Sequence, residues 1–350
     1  NLLIDSYIRD GSPAKALSRL DVMLAANPND RQLNTRRIAL LAQMQDVTGL
    51  ETHLRDMVER FPGDTETQSM LLRFYLSQNQ VEQAEAFLRD ISDPAAEDIG
   101  LYVSLIQFVR EVRGDEATRV EIERAIAVNP NPNPFKAMLA MLDFQAGEQD
   151  KAISDMEAIL SASAETPDVD VSSIKVTLAR MLANTGNQVG ARRLIEEVLA
   201  GGNDNVDALK MQAAWQIQSD DTDGAISNLR LALDTAPEDV QAMNLMYEAY
   251  MRTGEADLAR DFLALAVDAS GNAPAASVRY AQVLMQEERF LPAEDVLLPS
   301  LRLNPGNLEL LSALGSLYLQ LEDIPRATQV IDTLERLDTD RSRAVATQLQ

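Results

Sequence analysis

Leu308–Thr339, LELLSALGSLYLQLEDIPRATQVIDTLERLDT, reads as two short amphipathic helices joined by a polar turn. Its first half places Leu311, Leu314, Gly315 and Tyr318 three and four residues apart, which gathers them on one face of an α-helix. Its second half does the same with Ala327, Ile331 and Leu334. Shifted back by 34 residues the pattern recurs, and it continues to recur to the beginning of the chain. The protein is therefore expected to be an array of one helical hairpin.

Working outward, the small residue that opens the buried face of each second helix lines up as Ala16, Leu50, Ala84, Thr118, Ala152, Ala191, Ala225, Ala259, Ala293 and Ala327. Eight of the nine spacings are 34 residues and one, Ala152 to Ala191, is 39, a period that unrelated helices do not keep. Four residues further on stand Leu20, Leu54, Leu88, Ile122, Met156, Ile195, Leu229, Leu263, Leu297 and Ile331, all apolar. Twelve residues after the small position, Pro28, Pro62, Pro130, Pro237 and Pro305 end the second helix, because proline has no backbone N–H to continue it. The register predicts turns between paired helices near Gly11, Gln45, Asn79, Arg113, Gly147, Gly186, Asp220, Gly254, Glu288 and Glu322, and no strands. Gly, Asn and Asp in several of these slots tolerate a left-handed backbone.

Two stretches depart from the register. Asn129–Pro134, NPNPNP, reads as an extended turn between units, with Pro134 suited to the first turn of the next helix. The five extra residues fall within Leu160–Ser173, LSASAETPDVDVSS, expected as a lengthened connection or an overlong second helix that bends the array without dividing it.

This pattern resembles the tetratricopeptide repeat, which carries a Leu-Gly pair and a Tyr on its first helix, then Ala, a large apolar residue and Pro on its second. Leu314, Gly315, Tyr318, Ala327 and Ile331 keep most of it, and Tyr247, Tyr250, Gly254, Ala259 and Leu263 keep part. The family's Trp is missing from its usual place, since Trp215 falls elsewhere, and the first-helix Gly survives only at Gly315. Such degenerate units are common in bacterial versions. The resemblance implies an all-α, right-handed superhelical solenoid of about ten repeats. By register these cover approximately residues 1–30, 31–64, 65–98, 99–132, 133–171, 172–205, 206–239, 240–273, 274–307 and 308–341, with 342–350 opening a further or capping helix.

Composition bounds the function. The 350 residues are 46% hydrophobic but hold no apolar run near twenty residues, so direct membrane insertion by a helix is not expected. The chain opens within a predicted helix, Asn1–Arg9, and closes within another, Arg341–Gln350, without a signal peptide, as expected of a fragment or processed form. With no cysteine there are no disulfides, thiolate metal sites or cysteine nucleophile, and the compartment stays open. A formal charge of −24 argues against nucleic acid and anionic membrane surfaces, both of which need a basic face.

The sequence offers little chemistry. The one histidine, His53, lacks partners at the spacing of a metal site or triad and is expected to pack on its helix. There is no Gly-rich phosphate loop. Carboxylate pairs such as Glu287-Glu288 and Asp220-Asp221 fall at predicted turns, and Asp220–Asp223, DDTD, lacks the downstream Gly and bidentate Glu of a calcium loop. Neither catalysis, cofactor nor metal is expected.

In the family the resemblance points to, first helices line the concave side. Positions facing it by register include Arg36, Arg73, Arg110, Met138, Met141, Phe144, Arg180, Met211, Met251, Arg252, Arg279 and Met285. Eight basic and six acidic residues share that face, which leaves it near neutral while acid concentrates elsewhere. Methionine suits a surface that repacks around varied apolar side chains. The candidate peptide-binding residues are Arg180, Lys210, Met211, Met251, Arg252, Arg279 and Met285, set against the readings that the methionines are core and that each arginine pairs within the array, Arg252 with Glu248 for instance. The family's Lys/Asn clamp for a C-terminal carboxylate is not matched, because Ala214 stands where its Asn belongs beside Lys210. The expected function is a non-enzymatic scaffold for a protein or extended peptide, of the kind found in bacterial cell-envelope, polysaccharide-export or secretion assemblies, with the envelope or periplasm ahead of the cytoplasm. The alternative is the targeting region of a larger enzyme such as a glycosyltransferase.

Overall fold

The computed structural model describes residues 2–163, 171–202, 204–337 and 339–349, and among these it contains helices and no strands. The chain divides into two compact units, Asn1–Glu148 and Gln149–Gln350. The first holds α1 (Leu2–Arg9), α2 (Pro13–Ala26), α3 (Arg31–Gln43), α4 (Val47–Arg60), α5 (Thr65–Ser77), α6 (Val81–Ile91), α7 (Gly100–Arg113), α8 (Asp115–Val128) and α9 (Asn133–Gln145). The second holds α10 (Gln149–Ser163), α11 (Ser172–Asn184), α12 (Gln188–Ala200), α13 (Val206–Gln218), α14 (Thr222–Thr235), α15 (Val240–Thr253), α16 (Ala256–Ala269), α17 (Pro274–Gln286), α18 (Phe290–Leu303), α19 (Leu308–Gln320), α20 (Ile324–Arg336) and α21 (Asp340–Leu349). Residues 164–170, within the Leu160–Ser173 stretch that carries the five extra residues, are not among the described ones, so the bend expected there lies outside the described residues.

One residue satisfies both helix ends at many of the turns. Asp221 donates its N–H to the carbonyl of Gln216, closing α13 five residues back, while its carboxylate accepts from Gly224 N–H and caps α14. Asp46, Asn187 and Asp323 do the same in their own turns. Such closure needs a left-handed residue just before the cap. It is found at nine of the ten expected turn positions, Gln45 (φ 55°), Asn79 (φ 55°), Asp220 (φ 61°), Glu288 (φ 59°) and Glu322 (φ 55°) among them. The exception is the fourth pair: Arg113 is the last residue of α7 rather than the turn, and Gly114, at φ 82°, makes the whole connection. The extension lets Arg113 reach Glu85 on α6 at 3.1 Å, a contact between neighbouring repeats that local sequence does not announce.

Burial follows the repeat. Ala16, Ala84, Ala152, Ala191, Ala225, Ala259 and Ala293 are wholly enclosed where two helices cross, and Leu20, Leu54, Leu88, Met156, Leu229, Leu263 and Leu297 fill the space beside them. A methyl at the crossing lets the axes approach, and the larger residue occupies the hole this leaves. Within the second unit, first helices also touch across repeats, α13 on α15, α17 on α19 and α19 on α21.

Candidate binding groove

The sequence-predicted residues lie on the first helices of the second unit, and the arginines among them are already occupied. Arg279 on α17 reaches back to Glu248 on α15 at 2.9 Å and lies over the ring of Tyr247. Arg252 on α15 does not pair with Glu248; it bonds Asp220 in the turn after α13 at 2.5 Å. Arg180 on α11 stands 3.8 Å from Asp207 on α13. Each ion pair clips one first helix to a neighbouring repeat. Such pairs between exposed groups contribute little to stability, but a partner's carboxylate would have to displace them.

Lys210 is more firmly held. Burial alone would lower its pKa, but hydrogen bonds to Asp239 (2.7 Å) and Asp207 (2.9 Å) push it above the ordinary lysine range. With Gln241 as a third acceptor at 3.3 Å, its ammonium has no N–H left to offer. Met211 and Met285 are half-buried, Met285 packing against the core cluster of the last repeats, and Met251 is exposed.

One stretch of the first-helix face is open. Val278, Gln282 and Met285 on α17, Ser312, Ala313 and Ser316 on α19, Arg341 and Val345 on α21, and Gly306–Glu309 line a groove of 870 Å³. Its lining combines small side chains on α19 with Val278, Met285 and Val345. Gln282 and Arg341 bond no other described residue, which leaves an amide and a guanidinium facing the groove unspent. The groove exists because α21 packs close on α19: a Cβ on Gly315 would stand 2.4 Å from the Leu349 Cδ1. Of the predicted residues, only Met285 lines it. Val278, Gln282, Arg341 and Val345 were missed, although Arg341 and Val345 stand one period beyond Asn307 and Leu311. Among the described residues no group of three His, Cys, Asp or Glu is placed to hold a metal ion, and no helix is long and apolar enough to cross a membrane.

A tetratricopeptide repeat model matches residues 51–107 and 216–279. These two stretches are tetratricopeptide repeats, set within an all-α array of helical hairpins. Proteins of this class are protein–protein interaction scaffolds and generally not enzymes. Among similar solved structures are PilF of Pseudomonas aeruginosa (17% identity, covering 62% of this chain and 97% of that one, TM-score 0.46) and PilW, described as a widely conserved type IV pilus biogenesis factor (15%, 61% and 97%, TM-score 0.48). A third is the Cut9–Hcn1 complex of the APC/C (15% identity, 88% of this chain and 59% of that one, TM-score 0.48). No curated protein matches the sequence.

Proposed function

We propose that the chain is a non-enzymatic scaffold that holds an extended segment of a protein partner in the groove between α17, α19 and α21. The observation that carries this is the contrast along one face: Arg180, Lys210, Arg252 and Arg279 are engaged within the array, whereas the groove beside Met285 presents apolar side chains with an unspent amide and guanidinium. An extended chain offers alternate side chains to apolar groups and its backbone to polar groups between them. Val278, Met285 and Val345 supply the first, and Gln282, Ser312 and Ser316 the second. Arg341 favours an acidic side chain near that end of the segment. The strongly acidic balance of the chain speaks against nucleic acid as the partner. The cell-envelope setting rests on the resemblance to degenerate bacterial repeats and is tested with the partner's identity.

The test is selection of peptides from a displayed library on the purified chain. Binding of the selected peptides should be lost when Ser312→Arg and Ser316→Arg fill the groove, and should survive a triple Arg180→Ala, Arg252→Ala, Arg279→Ala variant, with helicity unchanged in both. Peptides that ignore the filled groove but lose affinity in the triple variant would move the site to the arginine face.

A further inference from the structure

A second site lies in the first unit and is independent of the groove. At the repeat position occupied by Leu71, Leu105, Leu178 and Leu314, all buried, the second repeat carries Arg37. The equivalent residue in the seventh repeat, Gln212, is also polar, but there Asn228 Nδ2 donates to it at 2.9 Å. Arg37 is only half satisfied. Its Nε donates to Asp21 Oδ1 at 2.8 Å, and its two terminal nitrogens bond no other described residue. Where a repeat breaks its own rule and the new group is only partly compensated, function is the first explanation to test.

Around Arg37, helices α2, α3 and α4 border an open pocket of 600 Å³ lined also by Asp21, Asn34, Thr52, His53, Asp56 and Arg60. Arg60 is spent on Asp56 and on the carbonyl of Pro28. Asn34 is completely buried: its Nδ2 donates to the carbonyls of Pro28 and Asp30, both at 2.9 Å, which fixes the amide's orientation and leaves Oδ1 with no donor. His53, buried on α4, has only the Asn34 carbonyl, 3.4 Å from Nε2. Burial and then the nearby Arg37 hold its pKa below the ordinary histidine value, Arg60 adding to this and Asp56 opposing it.

We propose that this pocket binds a small organic carboxylate, held on the free fork of Arg37 beside His53. A guanidinium fork matches a carboxylate with two parallel bonds. The two arginines and two aspartates of the pocket balance, so a bound carboxylate adds a net negative charge near His53 and favours its protonated form. A phosphate dianion would bring a second charge toward Asp21 and Asp56 and should be disfavoured.

Because His53 is the chain's one histidine, its imidazole NMR signals report the site without ambiguity. The experiment titrates them from pH 5 to 8 in the whole protein at constant ionic strength, with chloride, acetate, lactate or inorganic phosphate as the sodium salt. Acetate and lactate should each raise the His53 pKa by about one unit, tenfold in proton affinity, with chloride and phosphate doing less. Arg37→Leu, which restores the repeat's own leucine, should keep the helicity and abolish the rise; Arg37→Gln, as in the seventh repeat, serves if the leucine variant does not fold. No rise with acetate or lactate in the wild type, or a rise that persists in the variant, would overturn the proposal and leave Arg37–Asp21 a structural ion pair. A rise with phosphate equal to that with acetate and lactate would overturn the carboxylate assignment.

Discussion

Glu288 and Glu322 hold left-handed backbone in turns where Gly11, Gly186 and Gly254 stand in other repeats. A side chain in that region costs roughly 1–2 kcal/mol, while glycine loses more freedom on folding, so Glu288→Gly should stabilise the array by about 0.5–1 kcal/mol in urea titration. Gly254→Ala, at φ 81°, should cost about 1 kcal/mol in the same measurement. These slots were legible because the turn falls at a fixed offset from each small residue. The fate of Lys210 was not: its acceptor Asp239 stands 29 residues away, and which carboxylate a long side chain reaches depends on repeat stacking. His53 makes a second residue-scale prediction. Its pKa is lower in the folded chain than in the unfolded one, so between those values the unfolded state binds more protons. Its contribution is therefore fully present above the ordinary histidine pKa of about 6.5 and is lost as pH falls through the folded value. Between pH 7.5 and 5.5 the urea midpoint should fall further for wild type than for His53→Phe; parallel profiles would remove histidine from the account.

Helices cross at Ala225 and Ala259, both without exposed surface. Leucine at either position should destabilise the array by roughly 1–3 kcal/mol, since close crossings cannot admit the added bulk without moving a helix. An unchanged melting temperature would mean that the crossing relaxes freely. Period and small residue together made these contacts readable from sequence, and the prolines two residues beyond α2, α4, α8, α14 and α18 made the helix ends readable too. What the period concealed was the groove. It depends on α21 seating against Gly315, and no local signal shows that a final helix closes over its neighbour. Gly315→Leu should therefore release α21, seen as fast amide exchange over Asp340–Leu349 while α19 and α20 stay protected. Slow exchange throughout would show that Leu349 simply turns aside, which its flexible end allows for a single added methyl.

At the scale of the whole molecule, repeats contact their neighbours and little else, so stability is a sum of units and the joints between them. The chain also divides into Asn1–Glu148 and Gln149–Gln350, each with its own apolar clusters. Unfolding should then depart from a two-state transition. The sequence supplies one natural reporter for each unit. Trp215, on α13 in the second, is buried with the Arg192 guanidinium 5.0 Å from its ring centre, so its fluorescence should shift when that helix opens. His53, on α4 in the first, gives a single resolved imidazole signal. Following both against urea in one sample should yield two midpoints, with far-UV circular dichroism broader than either. Arg37→Leu should move the His53 midpoint and leave the Trp215 midpoint in place, because sites that share no partner act independently. If both probes and the dichroism fall on one curve, and Arg37→Leu shifts them together, the two units unfold as one cooperative body and the nearest-neighbour account fails for this chain.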